Sequence, residues 1–314
     1  MGNLLKVFIA MLLVTSSEGG LNTVFPPFLE HSHFSISQIG FIISVFAILQ
    51  LLSRLPAGAL YSAHRARLIV VSALLLLAAS IIGYAYLVGA PFVIVLTLLH
   101  GLAFGTVTTV MLALCIEVKP EGYSSGAVMG WYTASLSAGY AIGNSLGGFV
   151  ADHLGYTWSF LIIGLFPLGS ALVVAVLPSF AGREVRSVAA APTSQAADQP
   201  GLLSKMHRLR KLGPNILLAT GVAFYINFLD DAFSAFFPLF GLSVGLSLTT
   251  VGLLRSLKSL TATSIRPLSG FVFKHIDFKT VNNVGLITWS VAVFLLPGLR
   301  GTWSLGFLFI IFGL

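Results

Sequence analysis

The sequence predicts an all-α integral membrane protein built as two pseudo-symmetric six-helix halves. Three observations lead there. Apolar residues make up 56% of the 314-residue chain and charged residues only 9%, whereas a soluble average has about 25% charged. Hydrophobic runs of about eighteen or more residues recur, each long enough to cross a hydrocarbon core of about 30 Å as a helix. In lipid, such a run must satisfy its backbone hydrogen bonds internally, which a helix does. The third observation is that one stretch is written twice.

The stretch from Glu18 to Gly58 recurs from Asp230 to Gly270 at one constant offset, without a gap. Glu18 falls on Asp230, Phe25-Pro26 on Phe237-Pro238, Phe28 on Phe240 and Gly40 on Gly252. Ser44 falls on Ser256, Arg54 on Arg266 and Gly58 on Gly270. In an apolar chain, a duplication of this span points to a transporter whose site lies between homologous halves.

Composition also excludes several classes. Cys115 is the only cysteine, so no internal disulfide or thiolate cage can form. No GxxxxGK[ST] loop occurs, which leaves ATP-driven pumping without an engine. No nucleophile and base pair suggests a membrane enzyme, and no cofactor is implied. The net charge of +7 is best read by position along membrane spans rather than as a nucleic-acid footprint. Lys6 followed by FIAMLLV resembles a signal peptide, but the duplication from Glu18 onward makes this segment part of the fold.

In chain order, span 1 (about Leu4 to Phe28) carries the polar patch VTSSEGG, which must face protein or water. Its end at Phe25-Pro26-Pro27-Phe28 is expected to break the helix. Span 2 (Ser37 to Tyr61) ends in RLPAGALYSAHRAR. Span 3 (Leu68 to Val88) is smoothly apolar and reads as facing lipid on most sides. Span 4 (Phe92 to Ile116) has Gly101 and Gly105 at the spacing that admits a neighbouring backbone. Span 5 (Ser125 to Val150) puts Gly139, Gly143, Gly147 and Gly148 on or near one face, and span 6 (Ser159 to Leu177) stops at Pro178.

Residues 179–212 turn rich in Ala, Pro, Ser and Gln and then basic, the composition of a cytoplasmic linker. It separates an N-terminal half (1–178) from a C-terminal half (213–314). Spans 7 (Pro214 to Phe240), 8 (Thr249 to Phe273) and 9 (Val281 to Leu299) repeat the order of spans 1 to 3. Span 10 starts near Thr302 and stops at Leu314, about thirteen residues where a bilayer needs about twenty. The second half therefore reads as truncated within helix 10, with about nine and a half of twelve helices present.

With the N-terminus placed inside, twelve basic residues fall inside: Lys6, Arg65, Arg67, Lys119, Arg183, Arg186, Lys205, Arg208, Arg210, Lys211, Lys274 and Lys279. Arg300 alone falls outside. This is the positive-inside pattern of a multi-pass protein of a bacterial-type plasma membrane with a cytoplasmic N-terminus.

These features resemble the major facilitator superfamily over nearly the whole chain. Gly58 and Gly270 hold the glycine of its G-x-x-x-D-[RK]-x-G-[RK]-[RK] turn. Ser62 and Lys274 occupy the acidic place, and Arg67 and Lys279 the last basic one. GYAIGNSLGG (139–148) is similar to the G-x-x-x-G-P-x-x-G-G pattern of the antiporter branch, with Asn144 at the proline. Span 4 is similar to the R-x-x-x-G coupling pattern, with Thr97 at the arginine and His100 beside Gly101. The resemblance implies gating by Gly58, Arg67, Gly270 and Lys279.

An ionised side chain at the bilayer centre costs about 2.5–3.5 kcal/mol even on the lenient insertion scale, so each needs a partner or a task. Glu18 and Asp230 are repeat mates on the first helix of each half. Desolvation disfavours the charged form of a buried carboxylate, so they are the proton-coupling candidates; the alternative is bonding to neighbours such as Ser16 and Asn227. Arg255 and Lys258 lie three apart on one helix face at a depth similar to Asp230 and Asp231. Their first-half counterparts are Ile43 and Phe46, so the charge belongs to the second half.

Asp231, Arg255, Lys258, Asn227, Tyr140 and Asn144 form the substrate-binding set, with a neutralised structural network as the alternative. His100 reads first as a hydrogen-bonded packing residue and second as a titrating group. Arg54 and Arg266 read as snorkelling. His31 and His33 lack a third ligand, so no metal site is expected.

The function implied is secondary active transport of a small organic molecule by alternating access, as proton-coupled export by a monomer. A sugar or organic-anion symporter and a non-transporting membrane partner or fragment are the alternatives.

Overall fold

Helix α1 (Gly2–His31) runs straight through the two prolines at which the sequence predicted a break. Pro26 and Pro27 offer no N–H to the carbonyls of Asn22 and Thr23, a loss of about 0.5–1.5 kcal/mol for each missing bond. Ring packing holds the last turn helical. Phe25 lies 4.5 Å from Tyr84, and Phe28 lies 4.8 Å from Phe160 and 5.7 Å from Tyr156. Each such contact adds about 0.5–1.5 kcal/mol beyond burial, enough in sum to offset the missing bonds. Both prolines are themselves buried.

The computed structural model describes residues 2–62, 64–87, 89–120, 122–177, 214–266, 278–299 and 301–313. Among them, regular structure is all helical. After α1 come α2 (Ile36–Leu60), α3 (Ala66–Gly83), α4 (Ala90–Glu117), α5 (Ser125–Leu154) and α6 (Tyr156–Ala175). The remainder comprises α7 (Pro214–Ser243), α8 (Leu248–Ile265), α9 (Phe278–Leu295), a 3₁₀ turn (Leu296–Gly298) and α10 (Thr302–Gly313). The linker 179–212 and Gly270 lie outside the described residues.

Serine caps start three of these helices. Ser35 and Gln38 close a reciprocal capping box on α2, while Ser124 and Ser247 accept from the third residue of α5 and α8. Among the described residues five helices, α1 to α4 and α6, are long and apolar enough to cross a membrane. Along α5, Gly, Ser, Asn and Tyr replace Leu and Ile on the face packed against α1 and α8.

By internal packing the chain divides into two units, one comprising Met1–Arg183 with Ala235–Leu314 and the other Glu184–Ser234. The described part of the second is the stretch of α7 up to Ser234.

Within the first unit, glycines set the closest contacts. A Cβ on Gly139 would strike Leu12 O and Thr15 Oγ1, one on Gly143 would strike Ser16 O, and one on Gly147 would meet Gly20 Cα at 2.7 Å. The glycine face of α5 is therefore the seat of α1. Gly148 turns to α8 instead, where its Cβ would strike Leu248 O. The spaced pair on α4 works in the same way against α2: a Cβ on Gly101 would lie 2.6 Å from Phe46 O, and one on Gly105 would strike Gln50 O. Helix α3, expected to face lipid on most sides, buries Val70, Leu74, Leu77 and Ile81 between α4 and α6, leaving Leu68 and Leu75 exposed. Ser80, also buried, is the one polar residue on that buried face.

The duplication reappears as packing. A Cβ on Gly313 of α10 would lie 2.5 Å from Lys258 O of α8, as one on Gly101 of α4 would lie 2.6 Å from Phe46 O of α2. These are the same two positions at the offset that relates Glu18 to Asp230.

Gly143→Val would force α1 from α5 and is expected to destabilise the protein by about 1–3 kcal/mol, as overpacking does. Gly130→Ala, inside α5 with nothing within 4 Å, should raise the melting temperature of the purified protein slightly, since Ala favours a helix interior over Gly by about 0.5–1 kcal/mol. Equal melting temperatures for the two variants would refute the packing account.

Candidate functional site

Polar side chains on the inner faces of α1, α4, α5 and α8 gather at three places. The first is Asn144, 3% exposed beside the glycine face of α5. Its Oδ1 accepts from Thr23 Oγ1 of α1 at 3.0 Å and from Arg255 Nε of α8 at 3.2 Å. Arginine is a donor only, so the amide oxygen must face it. Arg255 is itself 6% exposed, which makes this a charge-assisted bond inside the bundle.

The second place is a serine relay on the same crossing. Ser145 Oγ donates to Ser256 Oγ at 2.6 Å, and Ser256 Oγ donates to Ala141 O at 2.6 Å. The third is Glu18, 2% exposed, whose Oε2 lies 3.0 Å from Nε2 of His100, also 2% exposed. The carboxylate does not rely on Ser16, whose hydroxyl donates to Leu12 O.

Both ends of the first unit carry charged clasps. At one end Asp152 Oδ1 and Oδ2 accept from the backbone N–H groups of Leu248 and Thr249, at 3.2 and 2.8 Å. Ser247 Oγ accepts from Thr250 N, so three of the four unpaired donors at the start of α8 are satisfied; Val251 N then makes the first intrahelical bond, to Ser247 O. At the other end Lys6 Nζ and Arg67 Nη1 donate to Val176 O and Leu177 O beyond α6, each at 3.3 Å, the basic complement of a helix C-terminus. Arg266 Nη1 reaches Thr133 O at 2.8 Å, so the residue read as snorkelling also ties α8 to α5.

Of the remaining candidates, Asp230 is half-buried and Asp231 exposed on the part of α7 in the second unit. Lys258 is half-buried, one turn from Arg255. Tyr140 is half-buried, and its carbonyl lies against Gly19. Gly58 is exposed with open space around it. The side chains of Asn227 and Lys279 lie outside the described residues. No cluster of three His, Cys, Asp or Glu that could hold a metal occurs among the described residues.

Sequence reading missed Thr23, Ser145, Asp152 and the pairing of His100. Ser256 could have been found from the repeat it shares with Ser44, and His100 from the GxxxG step that begins beside it. Asp152 carried no such signal.

A bundle of apolar helices with its charged and amide groups held on inner faces defines a multi-pass membrane protein. Comparison with known proteins then gives the family: the model of the Major Facilitator Superfamily matches residues 7–314, and the chain belongs to that superfamily and is a transporter of small molecules. It is 23% identical over 299 residues to multidrug resistance protein 2 of Bacillus subtilis (strain 168), covering 94% of this chain and 72% of that protein. Its fold matches two crystal structures of the nucleoside transporter NupG. One, a mutant form, has a TM-score of 0.74 at 14% identity, over 99% of this chain and 79% of that one. The other has a TM-score of 0.70 at 16% identity, over 100% and 79%.

Asp152 lies beyond the apolar part of α5. Partial burial pushes its carboxyl up, but hydrogen bonds from Thr249, Ser247 and Leu248 outweigh this and hold it below the usual carboxylate range. A lowered folded value means the stabilisation is present above the unfolded value, about 3.9, and is lost as pH falls through the folded one. Asp152→Asn should therefore lower the melting temperature slightly at neutral pH and narrow the gap from wild type in acid. A gap that widened in acid would reverse the assignment.

Proposed function

We propose that the protein is a proton-coupled exporter of small organic molecules, working as a monomer by alternating access with its N-terminus in the cytoplasm. The observation that carries this reading is the Glu18 carboxylate, enclosed in an apolar helix bundle where an ionisable group is costly unless it has a task. Glu18 and its repeat mate Asp230 take and release protons. Asn144 and Arg255, with Tyr140, Asn227, Asp231 and Lys258, shape the substrate site. Gly58, Arg67, Gly270 and Lys279 serve the cytoplasmic gate, Arg67 by its hold on Leu177 O.

Export is favoured by the similarity to a multidrug resistance protein and by the glycine seat on α5. Symport of an organic anion or sugar is the second reading. The buried guanidinium of Arg255 favours it, since a carboxylate could replace Asn144 as its partner.

The test is proton flux through the full chain in liposomes under an imposed pH gradient, with ethidium and uridine as probes. Wild type should move protons only with a transported probe, and Glu18→Gln and Asp230→Asn should each abolish that coupling. Undiminished flux in both variants would remove these carboxylates from the mechanism. Probe and proton moving the same way would replace export by symport.

A further inference from the structure

The six helices of the first half sort into two tightly seated groups. Helix α1 sits on α5 and packs along α6; α4 sits on α2 and packs along α3. Helices α3 and α6 join the groups on one side. On the other side α1 and α4 pass each other with little packing between them, and there Glu18 meets His100.

The walls around this pair are aromatic. The His100 ring lies 4.7 Å from Phe46 of α2, and 6.4 Å from both Phe104 of α4 and Tyr84 at the end of α3. Tyr84 turns its hydroxyl to Thr97 Oγ1 at 3.1 Å. From α8, Arg255 reaches α1 through Asn144 and Thr23, and α5 brings Tyr140 and Asn144 past Gly19. The titratable groups facing the pair are thus Tyr84 and, at one remove, Arg255.

A carboxyl oxygen and an imidazole nitrogen 3.0 Å apart can hold one proton between them. With one proton between them the pair is neutral overall, as an ion pair or as carboxylic acid and imidazole. Losing that proton leaves a net negative charge, and gaining another leaves a net positive one. Aromatic walls solvate neither. A proton can leave to water only if water reaches Glu18 or His100, and the narrow packing between α1 and α4 is where it would enter.

We propose that Glu18 and His100 form a single shared proton site whose exchange with water is tied to separation of α1 from α4 within the first half. His100 is then half of the site rather than a packing residue. Proton exchange is linked to a movement inside one half, in addition to rocking between halves. The proposal builds on the proton-coupled reading above.

The test uses the full chain in liposomes, without substrate. Solid-state NMR with labelled glutamate and histidine identifies the pair in wild type by its through-space contact and follows both groups as pH is varied. Expected is a common titration of the Glu18 carboxyl and the His100 imidazole, and a shift of at least about one unit in the His100 transition on Glu18→Gln, the size that marks coupled groups.

In parallel, spin labels at the exposed positions Ile9 of α1 and Leu102 of α4, in a Cys115→Ser background, report their distance. It should lengthen when the pair loses its proton, and should not change with pH when Glu18→Gln and His100→Gln are combined. Separate, mutually indifferent titrations in wild type would overturn the shared site, and this result needs no variant to fold. A label distance that ignores the state of the pair would overturn the link to separation. A pair that behaves as proposed in a protein showing no probe-driven proton flux would leave the shared site standing and remove the proton-coupled transport reading instead.

Discussion

A polar atom inside a membrane bundle has no water to turn to, and the amide oxygen of Asn144 is held under that constraint. It takes hydrogen bonds from α1 and α8 at once, and the glycines around it make the meeting possible. Gly143 and Gly147 bring α1 within backbone contact, and Gly148 does the same for α8. A larger residue at any of these would hold Thr23 or Arg255 out of reach. The buried guanidinium would then lose a partner that the bilayer cannot replace, which costs several times what a surface ion pair contributes. Packing and polar satisfaction are therefore one constraint on α5, and it explains why this helix is the least lipid-like of the first six.

The duplication supplied one backbone pattern, and the two halves then used it differently. The same small residue on the fourth and tenth helices meets the same carbonyl on the second and eighth. The side chains at those positions differ. Phe46, which walls in the His100 ring, corresponds to Lys258; Ile43 corresponds to Arg255; and His100 itself corresponds to Phe312. The imidazole of the first copy is an aromatic ring in the second, and the ring that walls it is a lysine. The buried His–carboxylate pair is a feature of the first half, and the buried Arg255 is a feature of the second.

How far each feature was legible in the sequence depends on the range of the interaction behind it. Helix existence depends on local hydropathy, so the helices were legible, most to within a few residues; the expected end of span 8 at Phe273 lies outside the described residues. The glycine faces were legible too, because close approach between helices leaves a periodic trace. The end of α1 was not: Pro26 and Pro27 argued locally for a break, and the rings that hold the turn come from Tyr84, Tyr156 and Phe160, far along the chain. The partner of Glu18 was hidden for the same reason. Nothing near Glu18 in sequence points to His100, and its repeat mate offers no guide because Phe312 stands at the equivalent place. Long-range pairings between single polar residues leave no periodicity, and only the tertiary arrangement brings them into view.

Two of the contacts act on different partners. The crossing of α5 and α8, closed by Gly148, the serine relay and Asp152, joins elements of the first and second copies of the repeat. The bridge between Glu18 and His100 joins two groups of helices inside the first copy. Close backbone seats such as those at Gly148 and Gly101 have little compliance, since a sub-ångström shift already breaks van der Waals contact. Change is accordingly concentrated where seats are absent, and the sparsely packed approach of α1 to α4 is such a place. A titratable pair situated there meets a weaker opposing force than it would at any glycine seat in the bundle. That is the physical reason its charge can bear on helix position at all.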